Sequence, residues 1–223
     1  MDACILAYTR LPLQAPRALL ARCEAALPYA RRLRLRGSGQ QQWQSLAGLA
    51  LACWLLRRAT GRDVDPRQLR CPRAGAPFLP GAPAFSIAHA GEWVACALAP
   101  AGAVGLDLEP PTARAPFGTL ADWVAREAVA KAAGRGLAAV RAVRLAAAGA
   151  AAAGEWAWLE GRRWQLLAPE WPLPLVLRVA LDPPAQPGQP LRALRVPFVQ
   201  VCSALAGGQL RDAVPRSAAP AAA

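Results

Sequence analysis

Asp107 and Glu109 stand two residues apart in Val104-Gly105-Leu106-Asp107-Leu108-Glu109, and Glu127 and Lys131 stand four apart in Trp123-Val124-Ala125-Arg126-Glu127-Ala128-Val129-Ala130-Lys131. On a strand, alternation turns Val104, Leu106 and Leu108 toward a core and leaves Asp107 and Glu109 together on the other face. Their Cα atoms are then roughly 7 Å apart, close enough for both carboxylates to reach one cation. Two anions on one face repel unless something positive lies between them. Magnesium suits such a site, because it takes oxygen ligands from a few carboxylates and completes its shell with substrate phosphates. On a helix, residues four apart share a face, so Trp123, Glu127 and Lys131 line up. Taken singly, each feature has an ordinary explanation: an acidic strand end is commonly solvated, and an exposed Glu–Lys pair stabilises a helix by a few tenths of a kcal/mol. Taken together, they offer Glu127 as a third metal ligand or general base and Lys131 as a counter-charge for phosphate.

The rarity of two residue types sharpens this. Lysine and arginine together number 26, yet Lys131 is the single lysine, and His89 is the single histidine. Lysine is a compact, mobile point charge, whereas arginine is a rigid fork that stays protonated. His89 lies in Phe85-Ser86-Ile87-Ala88-His89-Ala90-Gly91, at a strand end before a glycine.

These residues need elements to position them. Ala3 to Tyr8 reads as an opening strand, followed by a helical stretch from about Pro16 to Leu27 and an arginine run from Arg31 to Arg36. Gln40 to Thr60 has helical periodicity. A Pro/Gly-rich loop, Cys71 to Pro83, leads into strands Phe85 to His89, Trp93 to Ala99 and Val104 to Glu109, the last halted by Pro110-Pro111. Thr119 to Ala133 reads as a helix with Thr119 as N-cap, Asp122 at the positive end of the dipole and Gly134 as the C′ residue. Further strands are expected at Val140 to Leu145, Trp156 to Leu159, Trp164 to Leu167, Leu175 to Leu181 and Leu191 to Val201. Ala146 to Gly154 is ambiguous between loop and helix. The pattern predicts an α+β protein of two lobes, residues 1–109 and 110–205, with a disordered tail over 206–223.

The chain has 223 residues and a formal charge of +12, which calls for an acidic partner. Six scattered cysteines without a CxxC pair, and no secretory leader, lead us to expect a reduced cytoplasmic protein with buried thiols. The longest apolar run, Leu46 to Leu56, is about half the roughly 20 residues that cross a bilayer, so no membrane association is expected. With one histidine, zinc is not expected.

In order, the motifs FxxxHxG, VGxDxE and WxxxExxxK followed by GxGL resemble the 4′-phosphopantetheinyl transferases of the larger, surfactin-type class. The resemblance covers Phe85 to Leu137, and more faintly Arg31 to Leu56 with its Ser45-Leu46-Ala47-Gly48. It implies two similar α+β lobes related by a pseudo-twofold, binding coenzyme A and magnesium between them. By position, it makes Asp107, Glu109 and Glu127 the magnesium ligands, Glu127 also the base that activates a carrier-protein serine, and Lys131 the residue that assists departure of 3′,5′-ADP. His89 would contact the 3′-phosphate, and Arg31, Arg32, Arg36 and Arg73 would grip the nucleotide. The implied partner is an acyl or peptidyl carrier protein, acidic around its modified serine. Two lobes in one chain could form the site in a monomer.

The chain also departs from the family's pattern. Ala88 and Ala90 replace serines beside the histidine, Gly75-Ala76-Pro77 replaces a Gly-Lys-Pro turn, and Gln44 replaces an arginine. Arg73 is near enough in sequence to compensate for the lost lysine. These changes motivate a rival, a non-catalytic relative that binds coenzyme A or a carrier protein. A second rival is a basic nucleic-acid-binding protein or magnesium nuclease, but no helix-turn-helix, zinc-finger or aromatic RNA-binding motif supports it.

Overall fold

The computed structural model describes residues 4–13, 21, 25–26, 39–70, 72, 76–146, 155–185 and 191–205. Among these, the chain is a mixed α+β protein with two sheets and few helices. In chain order the elements are β1 (Ile5–Arg10), α1 (Gly39–Thr60), β2 (Phe85–Ala90), β3 (Trp93–Leu98), β4 (Ala103–Glu109), α2 (Leu120–Ala132), β5 (Arg144–Leu145), β6 (Glu155–Leu159), β7 (Arg162–Leu167), β8 (Val176–Asp182), β9 (Arg192–Arg195) and α3 (Phe198–Leu205). The first sheet has the order β2-β3-β1-β9 and the second β4-β8-β7-β6-β5.

Three apolar layers hold these parts together. Leu6 and Tyr8 of β1, Ala88 and Ala90 of β2, Ala95 and Ala97 of β3 meet Val104, Leu106 and Leu108 of β4 and Leu177, Val179 and Leu181 of β8 between the sheets. Outside the first sheet, α1 packs on Phe85, Val94, Cys96 and Leu98. Outside the second, Ala125, Ala128 and Val129 of α2 pack on Ala157, Trp164, Leu166 and Ala180. The apolar run Leu46 to Leu56 is explained by this position: α1 has sheet on one side and α3 on another, so it is buried nearly all round. No described helix is long and apolar enough to cross a membrane. Cys4, Cys53 and Cys96 are buried free thiols, and Cys202 is buried as well.

The helix that matters most for the site is also the best specified. Thr119 accepts a hydrogen bond from the Asp122 amide, and the Asp122 carboxylate accepts one from the Thr119 amide, a reciprocal capping box. Such a cap stabilises a helix start by about 1 kcal/mol. At the other end Gly134 takes φ of 68°, and the Gly134 and Arg135 amides donate to the carbonyls of Lys131 and Ala130. That is a Schellman stop, so α2 ends at Ala132, one residue after presenting Lys131.

Several expectations are corrected. Residues 198–201, read as strand, begin α3: Phe198, Val201 and Cys202 repeat at i, i+3, i+4 and pack against the first core, a helical period hidden in β-branched residues. Leu137–Ala142 forms a 3-10 turn that buries Val140 three residues before the buried Val143, leaving only Arg144–Leu145 to pair as strand. The chain passes between the sheets at Ala99–Gly102, and β4 pairs with β8 along its whole length. Residues 191–205 join the first sheet and its helix: β9 pairs in parallel with β1, and α3 packs on α1. The helical stretch Pro16 to Leu27 and the ambiguous Ala146 to Gly154 lie almost entirely outside the described residues, as the arginine run Arg31 to Arg36 and the tail 206–223 do entirely.

Candidate functional site

Gly105 decides how the strand and helix of the site meet. It lies on the same face of β4 as Asp107 and Glu109, and a Cβ built there would stand 1.9 Å from the Ala128 carbonyl oxygen and 2.6 Å from the Ala132 amide nitrogen. Backbone therefore rests on backbone, and the helix face that carries Glu127 and Lys131 is brought down onto the strand face that carries Asp107 and Glu109. That contact covers the shared face: Asp107 is 4% exposed and Glu127 8%.

The carboxylates of Asp107, Glu109 and Glu127 each offer an oxygen within 4.8 Å of the others. Lys131 Nζ donates to Asp107 Oδ1 at 2.5 Å. Asp107 Oδ2 is buried and has no hydrogen-bond partner among the described residues, and the Glu127 carboxyl lies close to the Asp107 carboxyl. An acceptor that is orphaned in this way, among three clustered carboxylates, is what a hard divalent cation would satisfy. These three residues can hold such a metal ion.

Electrostatics follow from the crowding. Burial, the hydrogen bond to Asp107 and the negative charges of Asp107 and Glu109 push the Glu127 carboxyl up to about 8, with Lys131 pulling against them. Glu109 is also raised, first by burial and then by Asp107. Glu127 therefore binds a proton in the folded protein at a pH where the unfolded chain, near 4.5, has lost it. Between those values the folded state holds more protons, so the contribution of Glu127 to stability is full below the lower one and is lost as pH rises through the upper. Melting of the metal-free protein from pH 5 to 8 should show this decline, and Glu127→Gln should flatten the curve. An unchanged slope in that variant would remove Glu127 as its source.

His89, at the end of β2, is exposed as a residue, yet its imidazole is held below the ordinary histidine range. Neighbouring protein that displaces water acts first and the Lys131 charge second, while Asp107 pulls the other way. The single histidine and single lysine thus share one electrostatic neighbourhood. A pocket of about 240 Å³ opens beside Lys131, lined by Ala76, Pro77, Ser86, Ile87, Lys131, Gly134 and Gly136. Arg31, Arg32, Arg36 and Arg73 lie outside the described residues.

Three site-forming residues were not singled out from sequence. Ser86 is 3% exposed, and its Oγ accepts from the Leu106 amide, tying edge strand β2 to edge strand β4. Its position on the face of β2 turned toward β4 is the only local hint. Gly105 was quoted as part of a motif, without its role. Arg178 stands directly opposite Asp107 across β4–β8, but its guanidinium lies beside Glu155, 3.3 Å away, and donates to the Leu177 carbonyl. Lys131 is thereby left as the cation on Asp107 among the described residues.

The departures from the family pattern have structural uses. Ala88 and Ala90 point into the core between the sheets, away from the side of β2 that bears His89. Gln44, 7% exposed, donates to the Gly91 carbonyl at 2.8 Å and docks α1 on the turn that follows His89. No family model matches the chain, and no curated protein matches it.

Proposed function

We propose that this chain transfers 4′-phosphopantetheine from coenzyme A to a serine of an acidic carrier protein, in a magnesium-dependent reaction that releases 3′,5′-ADP. One observation carries the reading: Asp107, Glu109 and Glu127 cluster within 4.8 Å while Lys131 both touches the cluster and lines the adjoining pocket. The topology favours it as well. The orders β1-α1-β2-β3 and β4-α2-β7-β8 both run strand, helix, two strands, with the first strand paired antiparallel to the last, while β5, β6, β9 and α3 lie outside this repeat. The shared order supports a reading as two similar lobes.

Serine attack on a phosphodiester requires neutralised charge, alignment and a proton acceptor. Asp107, Glu109 and Glu127 would hold magnesium, which when bound supplies positive charge to the pyrophosphate. The serine Oγ forms a bond to the phosphorus attached to pantetheine, and its proton passes to Glu127. The bond from that phosphorus to the bridging oxygen breaks, and the electron pair leaves with 3′,5′-ADP beside the Lys131 ammonium. His89 contacts the 3′-phosphate in this reading. The net charge of +12 would steer an acidic carrier protein toward the site, an effect that weakens with salt.

The test is incubation with coenzyme A, magnesium and apo carrier proteins, read by mass spectrometry. Gain of one phosphopantetheine supports transfer. If no carrier is modified and the nucleotide still binds, the chain is the non-catalytic relative that the alanines at 76, 88 and 90 first suggested. Nicking of DNA without transfer would favour the nuclease.

A further inference from the structure

Lys131 is placed where it must compete with any cation that enters the triad. Its Nζ lies 2.5 Å from Asp107 Oδ1, so one oxygen of a would-be ligand is already taken by a positive charge. The other oxygen, Oδ2, is buried and has no donor. Arg178, on the same face, is turned to Glu155 and cannot take over the role. Lys131 also has somewhere to go: its side chain is 31% exposed and lines the pocket beside Ser86, Gly134 and Gly136.

We propose that Lys131 is an exchangeable counter-ion, which holds Asp107 in the metal-free protein and swings from the triad into the pocket when a divalent cation binds. The inference rests on the divalent-cation reading of the triad and adds a coupling to it. An ammonium a few ångströms from a divalent cation disfavours it by about tenfold or more even when well screened. Its withdrawal toward an anion in the pocket removes that repulsion, so cation and anionic ligand assist one another's binding, and reciprocally so. Lysine suits this movement because its charge is compact and rides on a flexible four-carbon stem.

Two measurements on the full chain decide the matter. Mn2+ titration followed by electron paramagnetic resonance should show Lys131→Met and Lys131→Gln binding the ion about tenfold more tightly than the unaltered protein. Equal or weaker binding in both variants overturns the proposal while leaving the metal site standing. If neither the unaltered protein nor the variants bind Mn2+, the divalent-cation reading fails and the coupling falls with it. The second measurement needs no variant, since Lys131 is the only lysine. Protein labelled with 13C,15N-lysine should give one ammonium signal, and Mg2+ should shift it with the same midpoint as metal binding. A signal that stays in place while the metal binds would show that Lys131 does not move.

Discussion

Asp107→Asn is expected to lower carrier-protein modification by about 10³-fold or more, or ~4 kcal/mol of transition-state stabilisation, while leaving the fold intact. The amide keeps the shape of the carboxyl but removes a metal ligand and the acceptor of the Lys131 ammonium. Folding has little to lose, because the substitution takes one negative charge from a crowded buried triad and leaves a partly exposed lysine that water can solvate. Phosphopantetheine transfer read by mass, beside a thermal melt of the metal-free protein, separates the two effects. Retained transfer would remove Asp107 from the metal site. A collapsed melting temperature would instead make the Lys131–Asp107 pair a structural one.

Gly105→Ala should destabilise the fold strongly, although it adds a single methyl group. The new Cβ meets the Ala128 carbonyl oxygen and the Ala132 amide nitrogen, which are helix backbone and cannot rotate aside as a side chain would. Relief requires α2 to lift from β4, opening the core that Ala125, Ala128 and Val129 make with Trp164 and Ala180. Overpacking of this kind costs up to about 3 kcal/mol and more when rigid backbone must shift. The same displacement draws Glu127 and Lys131 away from Asp107 and Glu109, so metal affinity should fall with stability. Urea denaturation and Mn2+ binding check both parts, and Gly39→Ala, where nothing lies within 4 Å of the new Cβ, is the control. A Gly105→Ala protein as stable as the parent would show that the close approach is not needed.

Much of the candidate site was legible because its signals are local. Period two placed Asp107 and Glu109 on one face of β4, and period four placed Glu127 and Lys131 on one face of α2. Thr119, Asp122 and Gly134 act as caps within a turn of their own positions, so they specify the ends of α2 without help from the rest of the molecule. The misread segments are those where local pattern is ambiguous. Phe198 to Cys202 is apolar enough for a strand or a helix, and packing against α1 decides in favour of helix.

For the four charged residues, local periodicity settled which side chains share a face. It could not say that the two faces meet. That depended on a long-range contact, Gly105 against Ala128 and Ala132, and on Ser86 fastening β4 to β2. Only this packing excludes water from Asp107 and Glu127, and exclusion of water turns three ordinary carboxylates into a mutually repelling cluster that raises Glu127 and leaves Asp107 Oδ2 without a donor. Likewise, composition marks Lys131 as singular, but tertiary structure alone sets its ammonium between a buried carboxylate and an open pocket. Charge is written in the chain; the desolvation and distance that give charge its chemistry are properties of the fold.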